Sequence, residues 1–424
     1  MSLPVKLVRG VEEIEIGINS SPLTVSLGES NSFQSDAFNR LRVSNPSSVF
    51  DCQLQYGLQP LLWETILTGS GTATAIANNS SVGLTVSTNG DSVVRQTHRY
   101  FRYQTGRSQM ILLTGVIGAI KAGIRQRLGY FDAQNGVFFE QNGSNLRVVQ
   151  RSFTSGVAVD SAVNQSDWNT DKLDGSGVSG VTLDTSKAQI FTIDLQWLGV
   201  GRVRFGFNID GVFVPCHYML NANAIPSPYM TTANLPLRYE ISMTSATTPT
   251  TLIQICQSVA NEGGMDDERG LLFTINNTST PISVSTRRPL LSIRPKLTFN
   301  SIVNRANIIP ISYGVRAVTN DVLVELVYNG TLTGGTFASV NNNSTVEGDV
   351  AASAISGGTP LSCFYSSASA KDVSNFSSQD QLLGKIITLT LDNTGSVQDV
   401  LSIVATGIGG TASCLGAMNW KEIY

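Results

Sequence analysis

Apolar and polar residues alternate along most of this chain with the two-residue period of β-strands. The signal is densest between residues 51 and 286. SVGLTVSTNGDSVVRQTHRYFRY reads as two strands about Asn89-Gly90, with Val94, Gln96, His98 and Tyr100 on one face and Arg95, Thr97, Arg99 and Phe101 on the other. RLGYFDAQNGVFFEQNGSNLRVVQRS adds three strands about Asn135-Gly136 and Asn142-Gly143. Asn-Gly accepts the positive φ angles of a tight hairpin, so each pair predicts one. FTIDLQWLGVGRVRFGFNIDGVFVPCHYM continues with strands on both sides of Asp210-Gly211, and LRYEISMTS and TTLIQICQSVA follow. GVIGAIKAGIRQRLG is apolar enough for a helix, but its glycines and flanking strands predict strand–loop–strand.

TRRPLLSIRPK then interrupts the run with two prolines and a charge cluster. A second set of strands follows: LTFNSIVN, ISYGVRAVT, VLVELVYNGTLTGGTFASV about Asn329-Gly330, KIITLTLDN, VLSIVATGI and a closing AMNWKEIY. Ahead of both sets, residues 1–50 hold two short strand-like runs among Ser and Asn, then an aperiodic stretch, SDAFNRLRVSNPSSVFDCQLQYGLQPLLWE, that runs on to residue 64. Strands this numerous without helices predict an all-β chain. The expected order is an extended N-terminal docking arm (1–50), a concanavalin/lectin-like jelly-roll β-sandwich (51–286) and a smaller antiparallel β-sandwich (287–424).

Composition supports two β-domains: 424 residues, 14% charged, 41% hydrophobic and 39 glycines. A net charge of −3 and the lack of any basic tract argue against a nucleic-acid partner. The cations are biased, 20 Arg and 8 Lys making up the 28. Arginine's planar fork suits buried and interfacial pairs. Cys52, Cys216, Cys256, Cys363 and Cys414 show no metal spacing and predict small buried hydrophobes. No signal peptide and no membrane-length apolar run is evident, so synthesis in a cytoplasm without membrane insertion is expected.

Motifs for chemistry are few. His98 and His217 are the two histidines, and no nucleophile elbow or phosphate loop accompanies them. Glu13 and Glu15 have the alternate spacing of a glycosidase pair but lie in the arm. Asp167, Asp171 and Asp174 precede a Gly-Ser-Gly turn, where oxygen ligands could hold calcium and Asx turns are the alternative. Too few soft ligands stand at metal spacing for zinc, so no cofactor is expected unless this loop holds calcium. Trp168, among polar loop residues, is the candidate for stacking on a sugar ring, whereas Trp197 and Trp420 are expected in the core. These features predict no enzyme.

AFNRLRVSNPSSVFDCQLQYGLQPLLWE resembles a segment of a group of tailed-bacteriophage virion structural proteins. The likeness continues through VVRQTHRYFRYQTGRSQ, RLGYFDAQNGVFFEQNG, LDGSGVSGVTLDTSKAQIFTIDLQWLGVGRVRFGF, NLPLRYEI, YNGTLTGG and NWKEIY. Asn39 stands where that group often has Gly. The resemblance implies a virion component made in the host cytoplasm. Its partners would be other virion proteins and copies of itself in a symmetric homo-oligomer. The arm, with Phe38, Arg40, Leu41, Arg42 and Phe50, would do the docking. The alternative is an adhesin that binds a host-surface glycan.

Overall fold

The computed structural model describes residues 5–9, 12–16, 36–37, 46–263, 270–277, 280–368 and 388–424. Among them only two short 3-10 turns, Ala77–Asn79 and Gln165–Asp167, interrupt an otherwise all-β chain. No helix there is long and apolar enough to cross a membrane.

The first sandwich stacks a seven-stranded sheet on an eight-stranded one. The seven-stranded sheet runs Val159–Asn164, Asn145–Ser152, Gly136–Asn142, Ile124–Phe131, Leu237–Met243, Ser92–Thr97, Trp63–Thr68. The eight-stranded sheet centres on Thr250–Asn261. This long strand pairs with Gln109–Val116 on one side and with Ser81–Val86 and Ser47–Gln53 on the other. The inward positions of the two sheets make one core that includes Trp63, Leu128, Tyr130, Phe139, Phe205 and Tyr239.

The second sandwich pairs a four-stranded with a six-stranded sheet. Its organiser is Ala412–Ile423, twelve residues long. Leu271–Asn276 and Ile282–Val284 lie on one side of it and Asn307–Ala317 on the other. Trp420, Met418 and Cys414 point from it into a second core.

These pairings correct three expectations. The domain boundary falls between Asn261 and Leu271, not at 286/287. The charge cluster that suggested a boundary is a strand, Arg288–Pro295, and its Pro289 sits at a register shift, where no ladder N–H is needed. The arm ends before Ser47, because Ser47–Gln53 is a strand of the first sandwich. Phe50 lies opposite Val259 there, with its ring 5.0 Å from Phe101 and 6.3 Å from Trp63. Two of the Asn-Gly pairs make no hairpin. Asn89-Gly90 carries the chain from the eight-stranded to the seven-stranded sheet. Asp91 holds this crossing by accepting the backbone N–H groups of Ser87 at 2.9 Å, Thr88 at 2.7 Å and Ser70 at 2.8 Å. Asn329-Gly330 leads from Val322–Tyr328 to Thr331–Thr333, which pairs with Ala354–Ser356 instead. There Asn329 bonds to Val400 and Asp399.

Candidate functional site

The outward face of the seven-stranded sheet carries a cluster of buried charge that includes Arg127, Glu140, Arg151 and Arg238. Register places Glu140 opposite Arg147 on one side and Arg127 on the other, with Glu240 opposite Arg127 one strand further on. Glu140 is 0% exposed. It accepts from Arg125 Nε at 2.5 Å, Arg127 Nε at 2.9 Å and Arg147 Nε. Arg238 pairs with Glu240 at 2.8 Å and Arg151 with Asp160 at 2.7 Å. The guanidinium planes roof an aromatic floor: Arg127 and Arg151 stack over Phe138, and Arg238 stacks over Phe131.

Burial alone raises the Glu140 carboxyl, but the bonds from Arg147, Arg127 and Arg125 outweigh it and hold it below its ordinary value. The same balance, burial against Arg238 and Arg127, holds Glu240 down. This face therefore offers carboxylates, not a proton donor. Among described carboxyls with a resolved shift, Glu64 is the one pushed up, chiefly by burial, although the Asn393 N–H it accepts at 3.0 Å opposes the rise.

That Glu64–Asn393 bond joins the two sandwiches. So does Arg305, which donates to the carbonyls of Leu391, Asp392 and Asn393 and stacks over Tyr100 at 4.2 Å. Beside these contacts runs a groove of two adjoining cavities, 340 and 530 Å³. Thr231, Thr232, Asn234 and Tyr424 line both. The smaller cavity is also walled by Arg102, Gln104, Arg107 and Trp197. The larger adds Phe299, Ile302 and Val303.

The residues singled out from sequence fall elsewhere. Trp168 is 3% exposed, its Nε1 donating to the Val163 carbonyl at 3.3 Å and its ring lying on Phe207. The polar neighbours that made it look accessible turn outward while the indole turns in, so it cannot stack on a sugar. Trp197, expected in a core strand, is half-buried in the turn after Gln189–Leu195, and it lines the groove.

Asp167, Asp171 and Asp174 do not converge, and no group of three or more His, Cys, Asp or Glu side chains among the described residues is placed to hold a metal. Asp171 is buried and accepts the N–H groups of Leu173 at 2.9 Å and Ser179 at 2.8 Å. A Cβ on Gly177 would come 2.0 Å from Asp171 Oδ1, so glycine is required for that approach. Asp174 caps Ser176 in an Asx turn, and Asp167 is exposed. Phe38, Arg40, Leu41 and Arg42 lie outside the described residues. His98 and His217 are far from acting as a pair: one contacts the Pro60 carbonyl, the other accepts from Asn169 N.

The Glu140 cluster was missed, although it was readable. The hairpins about Asn135-Gly136 and Asn142-Gly143 fix a register that puts Glu140 between Arg127 and Arg147. The groove gave no such signal, because its walls come from residues near 104, 197, 232, 300 and 424.

No protein-family model and no curated protein matches this sequence. Solved structures to which it is similar include the endo-1,3-beta-glucanase of Streptomyces sioyaensis, 10% identical with a TM-score of 0.36, the alignment covering 51% of this chain and 97% of that one. The legume lectin-like domain of Entamoeba histolytica is 9% identical with a TM-score of 0.31, over 51% of this chain and 98% of that one. The laminarinase catalytic domain of Thermotoga petrophila is 12% identical with a TM-score of 0.34, over 52% of this chain and all of that one. Glycoside hydrolases thus stand among the structures this chain is similar to, and the expectation that it is no enzyme is withdrawn.

Proposed function

We propose that this chain is a structural component of a tailed-phage particle that assembles through its N-terminal region. The sequence resemblance to virion structural proteins motivates the reading, which covers tail, fibre and head-surface positions alike. The observation that carries it is the hairpin Val5–Arg9/Glu12–Ile16. Its strands are hydrogen-bonded to each other and, among the described residues, to no strand of either sandwich. An isolated two-stranded ribbon is marginal in water, so a neighbouring subunit that packs on it would stabilise it. The region is also tied back to its own sandwich. Ala37 donates to Ser108 Oγ at 3.3 Å, and its carbonyl accepts from Arg202 Nη2 at 2.9 Å.

Deletion of residues 1–35 tests the reading and leaves Ser47–Gln53 in place. The truncated chain is expected to be soluble and folded but missing from purified particles in a complementation assay. Normal incorporation refutes docking through this region.

A second reading, contact with carbohydrate, is favoured by the groove, which brings a half-buried tryptophan and side-chain amides to one concave surface. Oligosaccharide titration into the full chain, followed by assay for released reducing ends, separates binding from hydrolysis. No binding to any glycan removes this reading.

A further inference from the structure

The charges on the outward face of the seven-stranded sheet do not balance. From Val159–Asn164 to Leu237–Met243 this face carries the guanidinium groups of Arg125, Arg127, Arg147, Arg151 and Arg238 against the carboxylates of Glu140, Asp160 and Glu240. Arg127, Arg151 and Arg238 are committed: their forks go to those carboxylates, to the Asp132 carbonyl and to Gln96. Arg125 and Arg147 are not. Among the described residues Arg147 spends only its Nε, on Glu140. Arg125 spends Nε on Glu140 and brings Nη2 no closer than 3.6 Å to Asp160. Three donors already crowd the Glu140 carboxylate, which leaves it little capacity for the Nη groups. Those groups are open to water, the two side chains being 28% and 21% exposed.

Both open forks are fixed from behind. Glu140 sits on the strand between them, fully buried, and holds each Nε edge, so that the Nη edges are free to meet something outside. A guanidinium held in this way accepts a carboxylate through parallel N–H bonds with little further loss of freedom. Register sets Asn142 and Ser242 beside Arg125, and Asn164 beside Arg147, all half-buried. Amide and hydroxyl groups therefore flank the forks. Carboxylates interspersed with hydroxyls are the chemistry of a uronic-acid chain, whereas an acidic peptide supplies the carboxylates alone.

We propose that this face binds a uronate-bearing glycan, with the Arg125 and Arg147 forks each taking a carboxylate and Asn142, Asn164 and Ser242 taking ring hydroxyls. The proposal rests on the carbohydrate reading above for its class of ligand. It adds the ligand's charge and puts the contact on the sheet face, apart from the groove.

The test titrates a four-ring polyuronate, a neutral four-ring glucan and tetraglutamate into the full chain by calorimetry, with thermal melts of every variant alongside. Wild type should bind the uronate most tightly, and less tightly as salt is raised. Arg125→Ala and Arg147→Ala should each weaken that binding about tenfold or more. Arg147→Lys, which keeps the charge but loses the fork, should weaken it too. If folded variants bind the uronate as wild type does, or if only the neutral glucan binds, this face is wrong and the carbohydrate reading survives. If tetraglutamate binds as tightly as the uronate, the face reads charge on a protein segment and the proposal is overturned. If nothing binds, both fall. Should an alanine variant unfold the first sandwich, Arg147→Lys and the salt dependence decide: uronate affinity unmoved by either refutes the site.

Discussion

Replacing Glu140 with Gln removes the one negative charge shared by three guanidinium groups. Arg127 is 7% exposed and Glu140 0%, so their contact at 2.9 Å has the strength of an interior pair. Arg125 and Arg147 are 28% and 21% exposed, and water screens their share. Taking one partner from a buried pair costs about 3–5 kcal/mol, because the partner left behind stays charged. Glutamine keeps an acceptor, which places Glu140→Gln near the lower end, about 3 kcal/mol. For a domain of this size that lowers Tm by about 6–12 °C. Arg147→Ala, which leaves the carboxylate two donors, should cost about 1 kcal/mol.

Differential scanning calorimetry should show the transition of the first sandwich moving while that of the second stays. The acid limb supplies an independent check. The folded Glu140 pKa lies below the ordinary 4.5. Its contribution is therefore complete above the unfolded value and is lost as pH falls through the folded one. Glu140→Gln should flatten stability against pH below about 4.5. A loss under about 1 kcal/mol with an unchanged acid limb would refute the argument.

Arg95 is fully buried between the sheets with no carboxylate partner among the described residues: Nε donates to Gln254 Oε1 at 2.7 Å, Nη1 to Thr65 Oγ1 at 2.8 Å and Nη2 to the Leu58 carbonyl. Arg95→Met should release the segment 54–62, costing about 2–3 kcal/mol in urea melts and opening it to limited proteolysis. Glu422, also buried, accepts from Ser344 Oγ, Thr345 N, Thr345 Oγ1 and Trp420 Nε1 at 2.5–2.7 Å. Glu422→Ala should cost the second sandwich about 2–4 kcal/mol and speed hydrogen exchange along Ala412–Ile423 while sparing the first sandwich. Trp168→Ala should lower stability by about 3–5 kcal/mol and leave any oligosaccharide affinity unchanged, and the reverse pattern would return Trp168 to the ligand.

Strands and local hairpins were legible because their signals are local. The run 124–152 reads directly as three strands and two Asn-Gly turns, and it folds so. The Asn89-Gly90 and Asn329-Gly330 turns misled because turn chemistry specifies a backbone shape, not the sheet that receives the next strand. Asp91 decides the first crossing, and no hairpin rule contains it. The domain boundary misled for a related reason. Leu271–Asn276 pairs with residues 417–422, and that partner cannot be seen from nearby sequence. Trp168 misled because its neighbours' polarity reported their exposure rather than its own. Arg95 was placed on the same face as Thr97, but nothing local said that this face was the interior.

The aperiodic stretch from 35 to 64 contains both kinds of behaviour. Leu54 and Trp63 enter the core, while Tyr56, at 86% exposed, and Leu61, at 60%, remain outside it. The buried arginine beneath them holds the segment in that shape.

The central place of Ala412–Ile423 also sets an order of events during synthesis. The first sandwich has all its strands once Asn261 has emerged from the ribosome and can close while translation continues. The second cannot: Leu271–Asn276, made early, must wait for a mate some 146 residues later, Leu271 for Glu422 and Asn276 for Ala417 by register. Such distant pairing is slow and leaves strand edges open in the interval. Because Ile423 and Tyr424 also wall the groove, that cleft comes into being only with the last strand. A prematurely stopped chain would therefore carry a finished first sandwich but an unfinished groove.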